Sequence, residues 1–199
     1  MKFRLILTLI AATLAGAASA QARPDPRGDE VAVEMGQAFR QGNKARLAQL
    51  LPQLRGHPLE PWGAYWELRA RLDTASPQEV QDFLARYAGT YQEDRLRNDW
   101  LLLLGQRRDW TTFAEEHPRF RMNDDPQVRC YALLVQQLRE GPSPQLVEEV
   151  RRLWLSQREA EDGCTTAARS LADGPRHARL DPIDAWRKAR LAAEFNRLR

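Results

Sequence analysis

Apolar residues recur at helical spacing along most of the chain after residue 28. Leu47, Leu50, Leu51 and Leu54 stand at i, i+3, i+4 and i+7, and Val80, Phe83, Leu84 and Tyr87 repeat that spacing. Leu146, Val150, Leu153 and Trp154 follow it in a slightly different order. Residues so spaced share one face of an α-helix, so each set predicts an amphipathic helix with its stripe toward a core. No segment alternates apolar and polar residues over a useful strand length. The pattern predicts about ten helices of roughly 10 to 18 residues joined by short turns. Short turns make sequential helices antiparallel neighbours.

The starts of these helices are marked. Ser76-Pro77-Gln78-Glu79 reads as a capping box with proline at the first helical position. Asp125-Pro126, Ser143-Pro144 and Asp181-Pro182 pair an oxygen-bearing cap with proline in the same way, and Glu60-Pro61 is a weaker version. Gly42, Pro58, Gly89 and Pro118 close segments. QGNKARLAQLLPQLRGHP and GQRRDWTTFAEEHP also echo one another: a polar turn, a helix, then His-Pro. Such an echo predicts an all-α superhelical stack of antiparallel helix pairs, an α-solenoid. The last stretch, DPIDAWRKARLAAEFNRLR, opens on a cap and carries Leu191, Phe195 and Leu198 on one apolar face. It has no helix-stop signal, which reads as a segment cut from a longer protein.

The first twenty residues predict the compartment. MKFRLILTLIAATLAGAASA has Lys2 and Arg4, a short apolar run, and Ala18-Ser19-Ala20 as a cleavage signal. This is the layout of a secretory signal peptide, and the run is short for a stable membrane anchor. The organisation expected is a signal peptide over 1–20, a flexible mature N-terminus over 21–28 and one helical segment over 29–199. The mature protein is expected in the periplasm.

Export changes the meaning of charge. The formal balance is +3, from 30 basic and 27 acidic residues. Without Lys2 and Arg4 it falls to 28 − 27 = +1. Basic and acidic residues alternate, no basic stripe tracks phosphates, and no nucleic-acid partner is expected.

Export also frames the two cysteines, Cys130 and Cys164. An oxidising compartment favours a disulfide, which would close a loop of roughly 35 residues and contribute about 3 to 4 kcal/mol. Two alternatives stand beside it. A reactive thiol at the start of the helix after Cys164 wants a nearby His, and a metal site wants more Cys or His at fixed spacing. No metal or other cofactor is expected.

Candidate chemistry is thin. Glu115-Glu116, Asp124-Asp125 and Glu148-Glu149 are adjacent on helices or at caps, diverge by about 100°, and read as solvated faces. His57-Pro58 and His117-Pro118 each end a helical segment, where a protonated His complements the helix dipole. His177 reads as a solvated loop residue. Trp62, Tyr65 and Trp66 stand at i, i+3, i+4. That face packs between helices, or stacks on sugar rings or a partner. Trp100, Trp110, Trp154 and Trp186 fall one per segment, which suits packing between helices.

Several phrases, in order, resemble the superhelical domain of the soluble lytic murein transglycosylases. They are VAVEMGQAFRQGNKARLAQLLPQLRGHPLEPWGAYWELRARL, FLARYAGTYQEDRLRNDWLLLLGQRRDWTTF, VRCYALLVQQL and LWLSQREAEDGC. The resemblance runs from about Val31 to the end. It implies a periplasmic enzyme that cleaves the bond between N-acetylmuramic acid and N-acetylglucosamine and leaves a 1,6-anhydro end. It implies part of a helical ring, with peptidoglycan strands as the substrate, and a disulfide at Cys130 and Cys164. The family's lysozyme-like domain, with its Glu-Ser motif, has no counterpart in these residues. No catalytic residue is carried over, and the chain is expected to be inactive by itself. The rival readings are a free-standing helical-repeat module that binds protein partners, and an independent glycan-cleaving enzyme using carboxylates of its own.

Overall fold

The computed structural model describes residues 25–158 and 161–195, and the proposed signal peptide lies outside them. The described residues form ten α-helices and two 3-10 turns, with no strand. In order these are α1 (Pro26–Arg40), α2 (Lys44–Leu50), α3 (Glu60–Ala70), α4 (Pro77–Arg86), α5 (Tyr91–Arg107), α6 (Trp110–Glu116), α7 (Pro126–Glu140), α8 (Pro144–Ser156), α9 (Asp162–Ala172) and α10 (Pro182–Glu194). The 3-10 turns are Leu51–Leu54 and His117–Arg119. No described helix is long and apolar enough to cross a membrane.

The caps act as their chemistry dictates. Ser76 and Glu79 form the reciprocal capping box. Asp125, Ser143 and Asp181 each accept from a first-turn amide ahead of a proline. Glu60 is no cap: it is the first residue of α3, and its carboxylate reaches back to the Gly56 amide at 2.6 Å. Helix α1 starts at Pro26 under an Asp25 cap, inside the stretch read as a flexible N-terminus.

The internal echo is a repeated geometry. Gly42 and Arg108 both take left-handed backbone, φ 66° and 60°. The next residue, Asn43 or Asp109, donates its amide back to Ala38 or Leu104 and caps a seven-residue helix. Each short helix then tightens into a 3-10 turn with proline near its start. The offset is 109 − 43 = 66 positions, and α3 and α7 begin at the same offset, at Glu60 and Pro126. Proline explains why the two segments are shorter than expected: Pro52 and Pro118 cannot donate to the i−4 carbonyl. Arg108 bears a left-handed strain that glycine would avoid. Its guanidinium offsets it by holding the Gly105 carbonyl and forming a fork on Asp162 at 2.7 and 3.0 Å.

Packing passes along the chain. Helix α3 lies against α1 and α5, α7 against α5 and α9, and α9 against α8. The buried apolar residues form three successive clusters, around Met35 and Leu47, around Leu101 and Tyr131, and around Val150 and Leu171.

The last helix departs from expectation. Its buried residues are Asp184 and Lys188. Asp184 meets Arg151 of α8 at 2.9 Å, and the Lys188 amine donates to the Trp154 carbonyl at 2.8 Å. The apolar Ile183, Trp186 and Phe195 face outward, with Trp186 72% exposed. Trp186 is therefore no packing residue, although Trp100 is buried and Trp110 and Trp154 are partly so. Leu191 is half-buried, and Leu198 lies outside the described residues.

Candidate functional site

The aromatic triad of α3 divides. Tyr65 is buried, while Trp62 and Trp66 are half-buried. Residues from two other helices extend the pair into a row. Phe39 of α1 stacks on Trp66 at 6.3 Å with a 24° tilt. Trp66 meets Trp62 at 5.8 Å, and Trp62 meets Tyr91 of α5 at 5.6 Å. Tyr91 is 54% exposed. The helical spacing of Trp62 and Trp66 foretells two members. Phe39 and Tyr91 join only through packing of α1 and α5 on α3, which no local pattern reveals.

Next to Tyr65 lies a charged network. The Tyr65 hydroxyl donates to Asp99 Oδ2 at 2.8 Å, and Arg69 Nε reaches the same oxygen at 3.0 Å. Burial and the Asp99 carboxylate push the Tyr65 phenol up to about 12. Tyr65 therefore stays a neutral donor, and its ring is the fixed floor against which Trp62 stands edge-on at 81°. Arg95 of α5 acts electrostatically on Tyr65 and Tyr91, so a guanidinium lies near both phenols.

Cys130 and Cys164 are joined, binding α7 to α9. Both residues are fully buried. Neither thiol is a nucleophile in this state, and no group of three or more metal-ligating side chains occurs among the described residues.

Two of the three histidines take other roles than the sequence suggests, while His177 is the exposed turn residue expected. His117 stacks on Phe113 at 5.5 Å, and burial lowers its pKa. It is thus disposed to be neutral, not a cation on the end of α6. His57 lies beyond the 3-10 turn and faces the start of α1. Its Nε2 is 3.4 Å from Asp29, and its Nδ1 accepts from the Leu59 amide at 3.2 Å.

Of the paired carboxylates read as solvated, Glu116 is the one that goes inside. Glu116 is buried and meets Arg97, which also holds Glu93 at 2.8 Å. Asp94 accepts the backbone amides of Arg121 and Met122 at 2.9 and 2.8 Å, pinning the loop before α7. The adjacency rule separates Glu115 from Glu116 correctly, but only the meeting of α5 with α6 brings Arg97 to the inner one. Beside α3 and α4, a cleft of about 330 Å³ is lined by Arg55, Arg71, Arg86, Glu60 and Glu79. Burial raises Glu60, but the Gly56 amide, Tyr87 and Arg86 outweigh it and leave the carboxyl below its usual range. The Ser76 amide and Arg71 bring Glu79 down to about 2. Glu93, Glu149 and Asp162 also move downward. These groups are held ionised, as anchors for arginines, and none of them is tuned as a proton donor.

Comparison of the chain with protein-family models, curated proteins and solved structures finds no match.

Proposed function

We propose that this chain is the helical N-terminal scaffold of a periplasmic peptidoglycan lytic transglycosylase, inert without a lysozyme-like catalytic domain. The observation that carries the reading is the repeat. A capped short helix, a proline-led 3-10 turn and a longer helix recur 66 positions on, counted from Asn43 to Asp109. Each copy packs on the next helices in sequence. Units of this kind support a superhelical stack forming part of a ring, because none can bury its apolar face alone. The buried disulfide agrees with an exported protein, since such bonds persist in oxidising compartments. In this reading the scaffold encloses the active site and lets glycan strands pass.

One observation favours a second reading, a helical-repeat module that binds a protein partner. The outward Ile183 and Trp186 of α10 form an apolar face of the kind that marks interaction sites.

Intact mass of the native protein, purified from the periplasm, tests the first reading. A mass well above 22.9 kDa, with a following domain that bears Glu-Ser on a helix, is the expected result. A native protein without such a domain overturns the enzyme reading and leaves the binding module.

A further inference from the structure

Four rings drawn from three helices make a continuous row, Phe39, Trp66, Trp62 and Tyr91, with centroid steps of 6.3, 5.8 and 5.6 Å. The successive tilts are 24°, 35° and 38°, so no ring is turned fully edge-on to the next. Phe39, Trp62 and Trp66 are half-buried and Tyr91 is exposed. Each ring thus keeps part of its surface open to solvent, which leaves it able to contact an added ring.

The exposed area argues against a protein partner. An aromatic side chain offers about 150 to 250 Å², so the open parts of four rings come to roughly 300 Å² together. A stable protein interface needs about 800 Å² on each side. The polar surroundings point the same way. Arg69, 44% exposed, and Arg95 hold guanidinium groups beside the rings, while the Tyr65–Asp99 hydrogen bond fixes the floor. A few placed donors around an apolar surface are the mark of a site for a small polar molecule. A pyranose ring fits that description: its C–H face is apolar, and its rim carries hydroxyl and acetamido oxygens that accept from arginine.

We propose that this row is a stacking platform for successive rings of a β-linked amino-sugar strand, with Arg69 and Arg95 donating to the strand's edge. The choice of sugar rests on the peptidoglycan reading above, while the platform itself rests on ring geometry. Binding follows from C–H contact with the ring faces, so any ring in position 91 suffices, whether phenol or phenyl.

The test is titration of the mature protein with the β-1,4-linked tetramer of N-acetylglucosamine, followed by tryptophan fluorescence. Tyr91 is the residue to change, because it is the exposed member and its removal leaves the core intact. Tyr91→Ala should weaken tetramer binding roughly three- to tenfold. Tyr91→Phe should bind as the unmodified protein does. Tetramer that leaves the tryptophan emission unchanged at tens of millimolar overturns the proposal, as does Tyr91→Ala binding with unaltered affinity. Loss of self-association in Tyr91→Ala, with no effect on sugar, assigns the row to protein contact and also overturns it. The two readings fail separately. An inert row in a protein that carries a catalytic domain sinks only the platform; sugar binding in a protein without that domain sinks only the enzyme.

Discussion

The Tyr65 hydroxyl donates to Asp99 at 2.8 Å, tying α3 to α5 through a buried carboxylate. The same relation recurs one unit on, where the Tyr131 hydroxyl donates to Asp162 and ties α7 to α9. Each aspartate also holds an arginine, Arg69 in the first case and Arg108 in the second. A hydrogen bond to a charged acceptor contributes about 1.5 to 3 kcal/mol, so Tyr65→Phe should lower stability by roughly that amount. Urea unfolding checks it. A midpoint within error of the unmodified protein would mean that Arg69 satisfies Asp99 without the phenol. In the unmodified protein, absorbance titration should find no ionisation of Tyr65 until about pH 12 or until the fold opens.

The disulfide makes a larger prediction. Cys130 and Cys164 are 34 positions apart and fully buried. Closing a loop of this size contributes about 3 to 4 kcal/mol, chiefly by restricting the unfolded chain. Replacing both with alanine should cost that much plus a small loss of packing. Thiol titration of unfolded, unreduced protein should find no free thiol, and two would disprove the bond.

Gly105 offers a sharper test of packing. A Cβ there would come within 2.4 Å of the Tyr131 ring, which is itself buried and held by Asp162. The ring cannot yield as a flexible chain end would, and overpacking of this kind costs about 1 to 3 kcal/mol. Gly105→Ala should therefore destabilise, against the usual gain from replacing a helical glycine. A rise in melting temperature would show that α5 and α7 can separate at this point.

Acid should act in two steps. Burial depresses the pKa of His117 below 6.5, so folding favours its neutral form. That contribution is fully present above pH 6.5 and is lost as pH falls through the lower, folded value. Glu60, Glu93 and Asp162 also have lowered pKa values. Their contribution is present above about pH 4.5 and disappears as pH drops below it. His117→Gln should flatten the first step and leave the second. Melting temperature recorded between pH 7 and pH 3 distinguishes the two, and an unchanged first step in the variant would remove His117 from the account.

Much of the fold is legible in the chain because helices declare themselves locally. The stripe of Val80, Phe83 and Leu84 is buried as its spacing requires. Ser76, Asp125, Ser143 and Asp181 cap where their side chains can reach the next amides. The turn at Arg108 is less legible, since no glycine marks its left-handed backbone. Its parallel with Gly42 shows only when the two hydrogen-bond patterns are laid together. Of the aromatic row, Trp62 and Trp66 can be read from their spacing, while Phe39 and Tyr91 are distant in sequence.

The sequence by itself determined the helical class, most of the caps and a pair of thiols suited to an oxidising compartment. These follow from interactions spanning three or four residues, or from composition. The tertiary structure alone decided which charges go inside. Helix α10 is the plain case: Asp184 and Lys188 share a helical stripe with Leu191 and Phe195, yet the polar pair is buried while Leu191 is half-buried and Phe195 exposed. The reason is the neighbour. Arg151 and the last carbonyls of α8 offer partners that only polar groups can satisfy. Burying a charge is favourable only where its partner waits, and where partners wait is a property of the assembled helices.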